Sequence, residues 1–155
     1  MGHAATVFDP REKGNMSKVY VVQELRKFVC PECENWKLRK VGPTYTCEAC
    51  NHEFDRAKTV PKHDLTPAAA YGELEVLIQR NNIGIAAQPI VAQLRHDLRN
   101  YCDEDYILAV GDPVAIGLAI SVAADCNRGR VSILKWDRQT RQYISLNANI
   151  RVANT

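Results

Sequence analysis

The sequence predicts a small layered α/β domain, with a mixed sheet of roughly four to six strands and two main helices, into which a cysteine-rich module is inserted. Three observations carry this prediction. Apolar periodicity alternates along the chain between the two-residue repeat of strands and the 3.6-residue repeat of helices. Tyr106–Val110 is an unbroken apolar run, as expected at the centre of a sheet covered on both faces. Two Cys-x-x-Cys pairs, Cys30/Cys33 and Cys47/Cys50, stand between two segments of the domain with thirteen residues separating them.

Composition bounds the reading. A chain of 155 residues can build one ordinary domain and a small module stapled by metal. It is 46% hydrophobic and 25% charged, a globular rather than a disordered balance. No apolar run approaches the ~18 residues that a membrane helix needs. There is no basic start followed by an apolar stretch, so secretion is not expected. Six cysteines then point to a reducing cytoplasm, with thiols and metal rather than disulfides.

Residues 1–15 show neither period and end in Gly14-Asn15, which reads as a flexible arm or a tag. Lys18–Val22, β-branched and aromatic, is the first strand. The domain is expected to comprise residues 16–26 and 59–155, with 27–58 as the insert. After the insert, Thr66-Pro67 predicts a short helix with Thr66 as cap, stopped by Gly72. Glu73–Ile78 alternates as a strand, Asn81-Asn82 turns, and Ile83–Ala87 is a further apolar run that can pair with it. From Pro89, the positions Ile90, Val91, Leu94, Leu98 and Tyr101 trace one face of an amphipathic helix.

Gly111-Asp112-Pro113 follows the central strand, and Val114–Ala124 then contains no charged residue. A helix apolar on nearly every side is buried, either under a second layer of its own chain or in a homo-oligomer built on residues 113–125. Val131–Trp136 and Tyr143–Leu146 predict a terminal hairpin around Arg138–Arg141.

The insert carries the strongest chemical signal. A Cys-x-x-Cys turn aims both sulfurs to one side, and four thiolates at about 2.3 Å satisfy tetrahedral Zn²⁺. Trp36–Val41 can run out, Gly42-Pro43 can turn, and Thr44–Thr46 can run back. Residues 27–55 thus resemble the zinc-ribbon family, found in transcription factors, ribosomal proteins, topoisomerases and transposon proteins. The resemblance implies one structural zinc held by Cys30, Cys33, Cys47 and Cys50. Where such ribbons usually have glycine after each knuckle, this chain has Glu34-Asn35 and Asn51, and Asn tolerates the left-handed conformation required. A dithiol redox site or a pair of disulfides is the competing reading of the same spacing.

GDPVAIGLAISVAAD followed by NRGRVSILKWDRQTRQY, with the start SKVYVVQ, is similar to a group of small bacteriophage proteins of unknown function over residues 17–150. This implies a viral origin without bringing an activity. The ribbon is then expected to be an accessory module.

Binding residues follow from charge. On the ribbon, Arg26, Lys27, Lys37, Arg39, Lys40, Arg56 and Lys58 outnumber Glu32, Glu34, Glu48, Glu53 and Asp55, with Trp36 and Tyr45 available to stack bases. Four thiolates on one Zn²⁺ carry −2, which cancels the formal charge of +2 and argues against strong non-specific binding to polyanions. Lys135, Arg138 and Arg141, interleaved with Trp136 and Tyr143, are a second candidate, although a solvated hairpin tip whose aromatics pack across strands is the favoured reading. Gly111 and Asp112 stand where a strand hands over to a helix, a place where α/β folds bind phosphates, but also where Asp serves as a plain helix cap.

Catalysis finds little support. His52-Glu53 beside the second pair lacks the order of a zinc deaminase, and no G-x-S-x-G, H-E-x-x-H or Walker pattern occurs. Cys102 and Cys126 stand alone. The reading is a non-enzymatic phage accessory or regulatory protein that binds nucleic acid or a nucleoprotein machine through its ribbon. The alternatives are an oligomeric adaptor or inhibitor of a host factor, and a nucleotide-binding or nucleotide-processing domain using Gly111-Asp112.

Overall fold

The computed structural model describes residues 17–79 and 83–152. The reading of residues 1–15 and the Asn81-Asn82 turn lie outside the described residues. In chain order the strands and helices are β1 (Lys18–Gln23), β2 (Arg26–Lys27), β3 (Leu38–Val41), β4 (Thr44–Cys47), β5 (Glu53–Phe54), β6 (Val60–Pro61), β7 (Glu73–Ile78), α1 (Gln88–Asp97), β8 (Tyr106–Leu108), α2 (Pro113–Cys126), β9 (Arg130–Asp137) and β10 (Gln142–Asn149).

Five of these strands form the main sheet in the order β10-β9-β8-β1-β7. β1 pairs in parallel with β7 and β8, β8 in parallel with β9, and only β10 runs antiparallel, so the sheet is mixed. Side-chain alternation along β1 divides its residues between two cores. Tyr20 and Val22 face Ile90 and Leu94 of α1, Leu98 just after it, and Ala115, Ala119 and Val122 of α2. Val19 and Val21 face the opposite side, where Ala68 of a five-residue 3-10 turn, Leu134 and Tyr143 close the second core. The connection from β1 to β7 therefore crosses on the 3-10 face, whereas those through α1 and α2 cross on the other. The strand order reverses between β1 and β8, the point at which open α/β sheets form a crevice.

Several elements differ from the sequence reading. The central strand spans three residues rather than five, because the Val110 N–H turns back onto the Leu108 carbonyl (2.9 Å), although the Ala109 N–H still donates to the Leu134 carbonyl and the Val110 carbonyl accepts from the Gln23 N–H. Ile83–Ala87 forms no strand; Ile83 packs against the helix-face core while Ile85 is fully exposed. The segment at Thr66 is a 3-10 turn whose cap position is Leu65 rather than Thr66, with no side-chain cap; the Asp64 carboxylate before it accepts from the Thr66 N–H (3.0 Å). α1 ends at Asp97, although Leu98 and Tyr101 continue its buried face through the following turn.

The charge-free helix finds its second layer within the chain. α2 packs against the sheet and beside α1, which covers the same face, with Ile116, Leu118 and Ile120 half-buried against the core. Its exposed stripe of Val114, Gly117, Ser121 and Asp125 is mostly small or polar. The terminal hairpin is longer than expected, with Trp136 opposite Tyr143 in its register.

Candidate metal centre

Chain leaves the body at β2 and returns at β6, and these two short strands pair antiparallel, Arg26 with Pro61 and Lys27 with Val60. Between them β3, β4 and β5 form a three-stranded antiparallel sheet. The third strand was not legible in the sequence; it exists because Phe54 pairs opposite Tyr45 and fills the small core beneath the cysteines. β3 begins at Leu38 rather than Trp36, since residues 35–37 belong to the knuckle: the Lys37 N–H donates to Asn35 Oδ1 (2.8 Å) and the Cys30 N–H to the Asn35 carbonyl (2.9 Å).

The two knuckles repeat one geometry. Glu34 and Asn51, each directly after a Cys-x-x-Cys pair, adopt φ of 59° and 61°. The Glu32 N–H points at Cys30 Sγ and the Ala49 N–H at Cys47 Sγ, both at 3.4 Å. The sulfurs of Cys30, Cys33, Cys47 and Cys50 all lie within 4.8 Å of one another. Cys30 and Cys50 are 3.6 Å apart, as are Cys33 and Cys47, far beyond a disulfide bond of about 2.05 Å. Sulfurs placed tetrahedrally at about 2.3 Å from one ion would stand about 3.8 Å apart, so the cluster is compatible with a metal site.

Electrostatics points the same way. The Cys50 N–H leads in drawing the Cys47 thiol down to about 7. At Cys50 the His52 N–H favours the thiolate, but burial and the sulfurs of Cys30, Cys33 and Cys47 push the thiol up to about 12. Four thiolates so close together repel, and a bound cation is what allows all four to ionise.

The candidate contact residues divide by environment. Lys27, Lys37, Arg39, Lys40 and Lys58 are exposed. Trp36 is 73% exposed, with the Lys37 ammonium 5.6 Å from its ring centroid. Arg39 and Lys40, adjacent on β3, leave opposite faces of the hairpin. The other two cations are engaged with the body. Arg26 donates to the Thr59 carbonyl (2.6 Å) and pairs with Glu24 (2.7 Å). Arg56 lies over the Phe28 ring (5.3 Å) and donates to the Gln79 carbonyl, which ties the cysteine-bearing segment to the end of β7. Tyr45 packs between Phe28 and Phe54, at centroid distances of 5.7 and 6.0 Å, inside the small core beneath the cysteines.

At the end of β8, Gly111 and Asp112 are explained by the fold. Asp112 caps α2, its carboxylate accepting from the Val114 N–H (2.8 Å), and Pro113 takes the first helical position. Buried Gln23, which sequence reasoning passed over, occupies the crevice between β1 and β8. Its Oε1 accepts from the Asp112 N–H (2.7 Å), and its backbone N–H donates to the Val110 carbonyl (3.1 Å). On the terminal hairpin, Lys135, Trp136 and Arg138 line one cleft with Gly111, whereas Arg141 sits exposed in the turn at φ 56°. Lone Cys102 donates to Glu104 (3.0 Å), while burial pushes the Cys126 thiol up.

No described helix is long and apolar enough to cross a membrane. Fold and cysteine cluster together define a small α/β protein with a four-thiol centre suited to a metal. The chain belongs to the phage Pam3 gp32-like protein family, whose model matches residues 45–150. The match includes Cys47 and Cys50 and runs from Tyr45 within β4 to the end of the terminal hairpin, but does not include β1 or the first cysteine pair. Neither a curated protein nor a solved structure matches the chain.

Proposed function

We propose that Cys30, Cys33, Cys47 and Cys50 hold one structural Zn²⁺, that residues 27–58 fold as a ribbon around it, and that this ribbon is the contact surface of a non-enzymatic phage accessory or regulatory protein. Four protein ligands leave no open position for a metal-bound water, so the metal's role is to stiffen the hairpin. The proposed partner is nucleic acid, met free or within a nucleoprotein machine.

The observation that carries this reading is the exposed hairpin itself. Trp36 stands in solvent beside Lys37, and Arg39 and Lys40 extend from the adjoining strand without an ion pair to any described residue. An aromatic face flanked by cations can stack a base and neutralise its phosphate. Arg26 and Arg56 serve a different purpose, anchoring the ribbon to the body, so fewer cations remain for a ligand than the sequence suggests. This modest charge favours a specific partner over general affinity for polyanions.

Salt-dependent binding tests the reading. Zinc-loaded protein should bind an oligonucleotide with an affinity that falls as salt rises. Reversing Arg39 and Lys40 to Glu should weaken it and lower the log–log slope by about 0.9 per lost duplex contact, or about 0.7 for a single strand. No binding to DNA or RNA at low salt would overturn the nucleic-acid reading and leave the protein adaptor as the better one.

A further inference from the structure

We propose that the cleft at the carboxyl ends of β8 and β9 is a nucleotide site, with the base on Trp136 and the phosphate among Lys62, Lys135 and Arg138. The site is independent of the ribbon hairpin, since no residue of β3 or β4 lines it. Three segments distant in sequence converge on it: the strap from Lys62 to Pro67, the turn from β8 into α2, and the terminal hairpin. The cavity is about 720 Å³, within the range of small-ligand pockets.

Its position follows from the topology. Open α/β sheets bind ligands beyond the carboxyl ends of their strands, in the crevice where the strand order reverses. Here Gln23 fills that crevice between β1 and β8. The open space is displaced one strand along, toward β9, where Leu108, Val110 and Ile116 supply an apolar wall.

The lining favours a planar anion. Lys62, Lys135 and Arg138 are exposed cations, none in an ion pair with a described residue. Three carboxylates lie nearby. Asp64 lines the cleft and accepts from the Thr66 N–H. Asp137 is held in its own turn by Gln139 and Thr140, with Lys135 close enough to favour its ionised form, and Asp112 accepts from the Val114 N–H. Three cations thus face the one carboxylate that lines the cleft. Trp136 is 44% exposed and braced edge-to-face by Tyr143 at 5.0 Å and 71°. Tyr143 is itself fixed by the Tyr71 hydroxyl, which donates to its carbonyl (2.8 Å). A bare anion would leave the braced, half-open indole unexplained, and an apolar ligand would leave the three cations unexplained. A nucleotide uses both, through base stacking and charge-assisted phosphate contacts.

The test uses the full, zinc-loaded chain carrying Trp36→Phe, so that Trp136 alone reports by fluorescence. Titration with each nucleoside monophosphate, with inorganic pyrophosphate and with an oligothymidylate separates the sources of this chemistry. Saturable quenching is expected, weakened at least about tenfold, the factor that 1.4 kcal/mol represents, when Lys135 and Arg138 are reversed to Glu. Arg39→Glu/Lys40→Glu should leave the quenching by nucleoside monophosphates unchanged, whatever it does to the oligomer, so failure here and failure of the ribbon reading are distinguishable. Equal affinity for monophosphates and oligothymidylate supports a free nucleotide as occupant; tighter, salt-dependent binding of the oligomer supports a strand. Quenching by none of them at millimolar concentration overturns the proposal, as does quenching that ignores the charge reversal in a variant whose circular dichroism matches the parent. Calorimetry on Trp136→Ala supplies the last arm: nucleotide binding undiminished there, with pyrophosphate binding equally well, would reduce the cleft to an anion site and refute the nucleotide assignment.

Discussion

Replacing Gly111 with Ala tests whether the β8–α2 turn is an architectural element or a ligand loop. The residue sits at φ 123°, outside the regions that L side chains adopt readily. A Cβ added there would lie 2.5 Å from Gln23 Cβ and 2.8 Å from its Oε1. Gln23 cannot easily yield, because it is fully buried and its Oε1 holds the Asp112 N–H. Backbone strain of this kind costs about 1–3 kcal/mol and overpacking about 1–3 more, so a loss of about 2–6 kcal/mol is expected. With a urea m-value of about 1–3 kcal/mol per molar, the unfolding midpoint should fall by about 0.7 M or more. Gln23→Gly removes the atom in the way, so the double variant should show coupling of at least about 0.5 kcal/mol. A Gly111→Ala midpoint within about 0.3 M of the parent would refute the steric argument, given that range of m. Unchanged stability with lost ligand binding would return Gly111 to the role of a ligand loop.

The remaining predictions concern metal and charge. Protein purified without chelators should contain one zinc per chain by elemental analysis, and its absence would overturn the metal assignment. Cys47→Ser should make Lys37–Lys40 cleavable by trypsin while the far-ultraviolet dichroism of α1 and α2 persists, because the two cores of the body share no residue with the small core around the cysteines. The Arg130 guanidinium and Asn127 amide beside Asp103 hold its carboxyl below the usual carboxylate range. A depressed folded pKa stabilises above the unfolded value of about 3.9, and that stability is lost as pH falls through the folded value. Asp103→Asn should therefore be less stable than the parent at pH 7, by under about 1 kcal/mol because the pair is largely exposed, and the two should converge in acid. Melting curves that differ equally at pH 7 and at pH 2 would exclude the ion pair as the source.

The cysteine cluster and the order of the main strands and helices were legible in the sequence, whereas the short strands β2, β5 and β6 were not. Cys-x-x-Cys spacing fixes which way two sulfurs point within a few residues, and the left-handed position after each pair was visible at Asn51. Asp112-Pro113 announced the start of α2 for the same reason, since a cap needs only the next two residues. Less was legible at the ends of elements. The central strand stops early because Val110 bends toward Leu108, and Ile83–Ala87 stays out of the sheet despite its apolar composition.

Local chemistry, then, was written in the sequence: the four thiols, the buried helix, the terminal hairpin and the alternation of strands and helices each follow from residues near in the chain. Tertiary structure alone decided which of the exposed charges are free and where cavities open. Arg26 and Arg56 looked like contact residues until Thr59 and Gln79 presented carbonyls to them from 33 and 23 positions away. Gln23 could be placed in the crevice only once β1 and β8 were adjacent, bringing it to Asp112 across 89 residues. Lys62, Lys135 and Trp136 share a cleft for the same reason. Periodicity reports which face of an element is apolar, whereas strand order is set by packing summed over the whole chain, and no local pattern carries that sum.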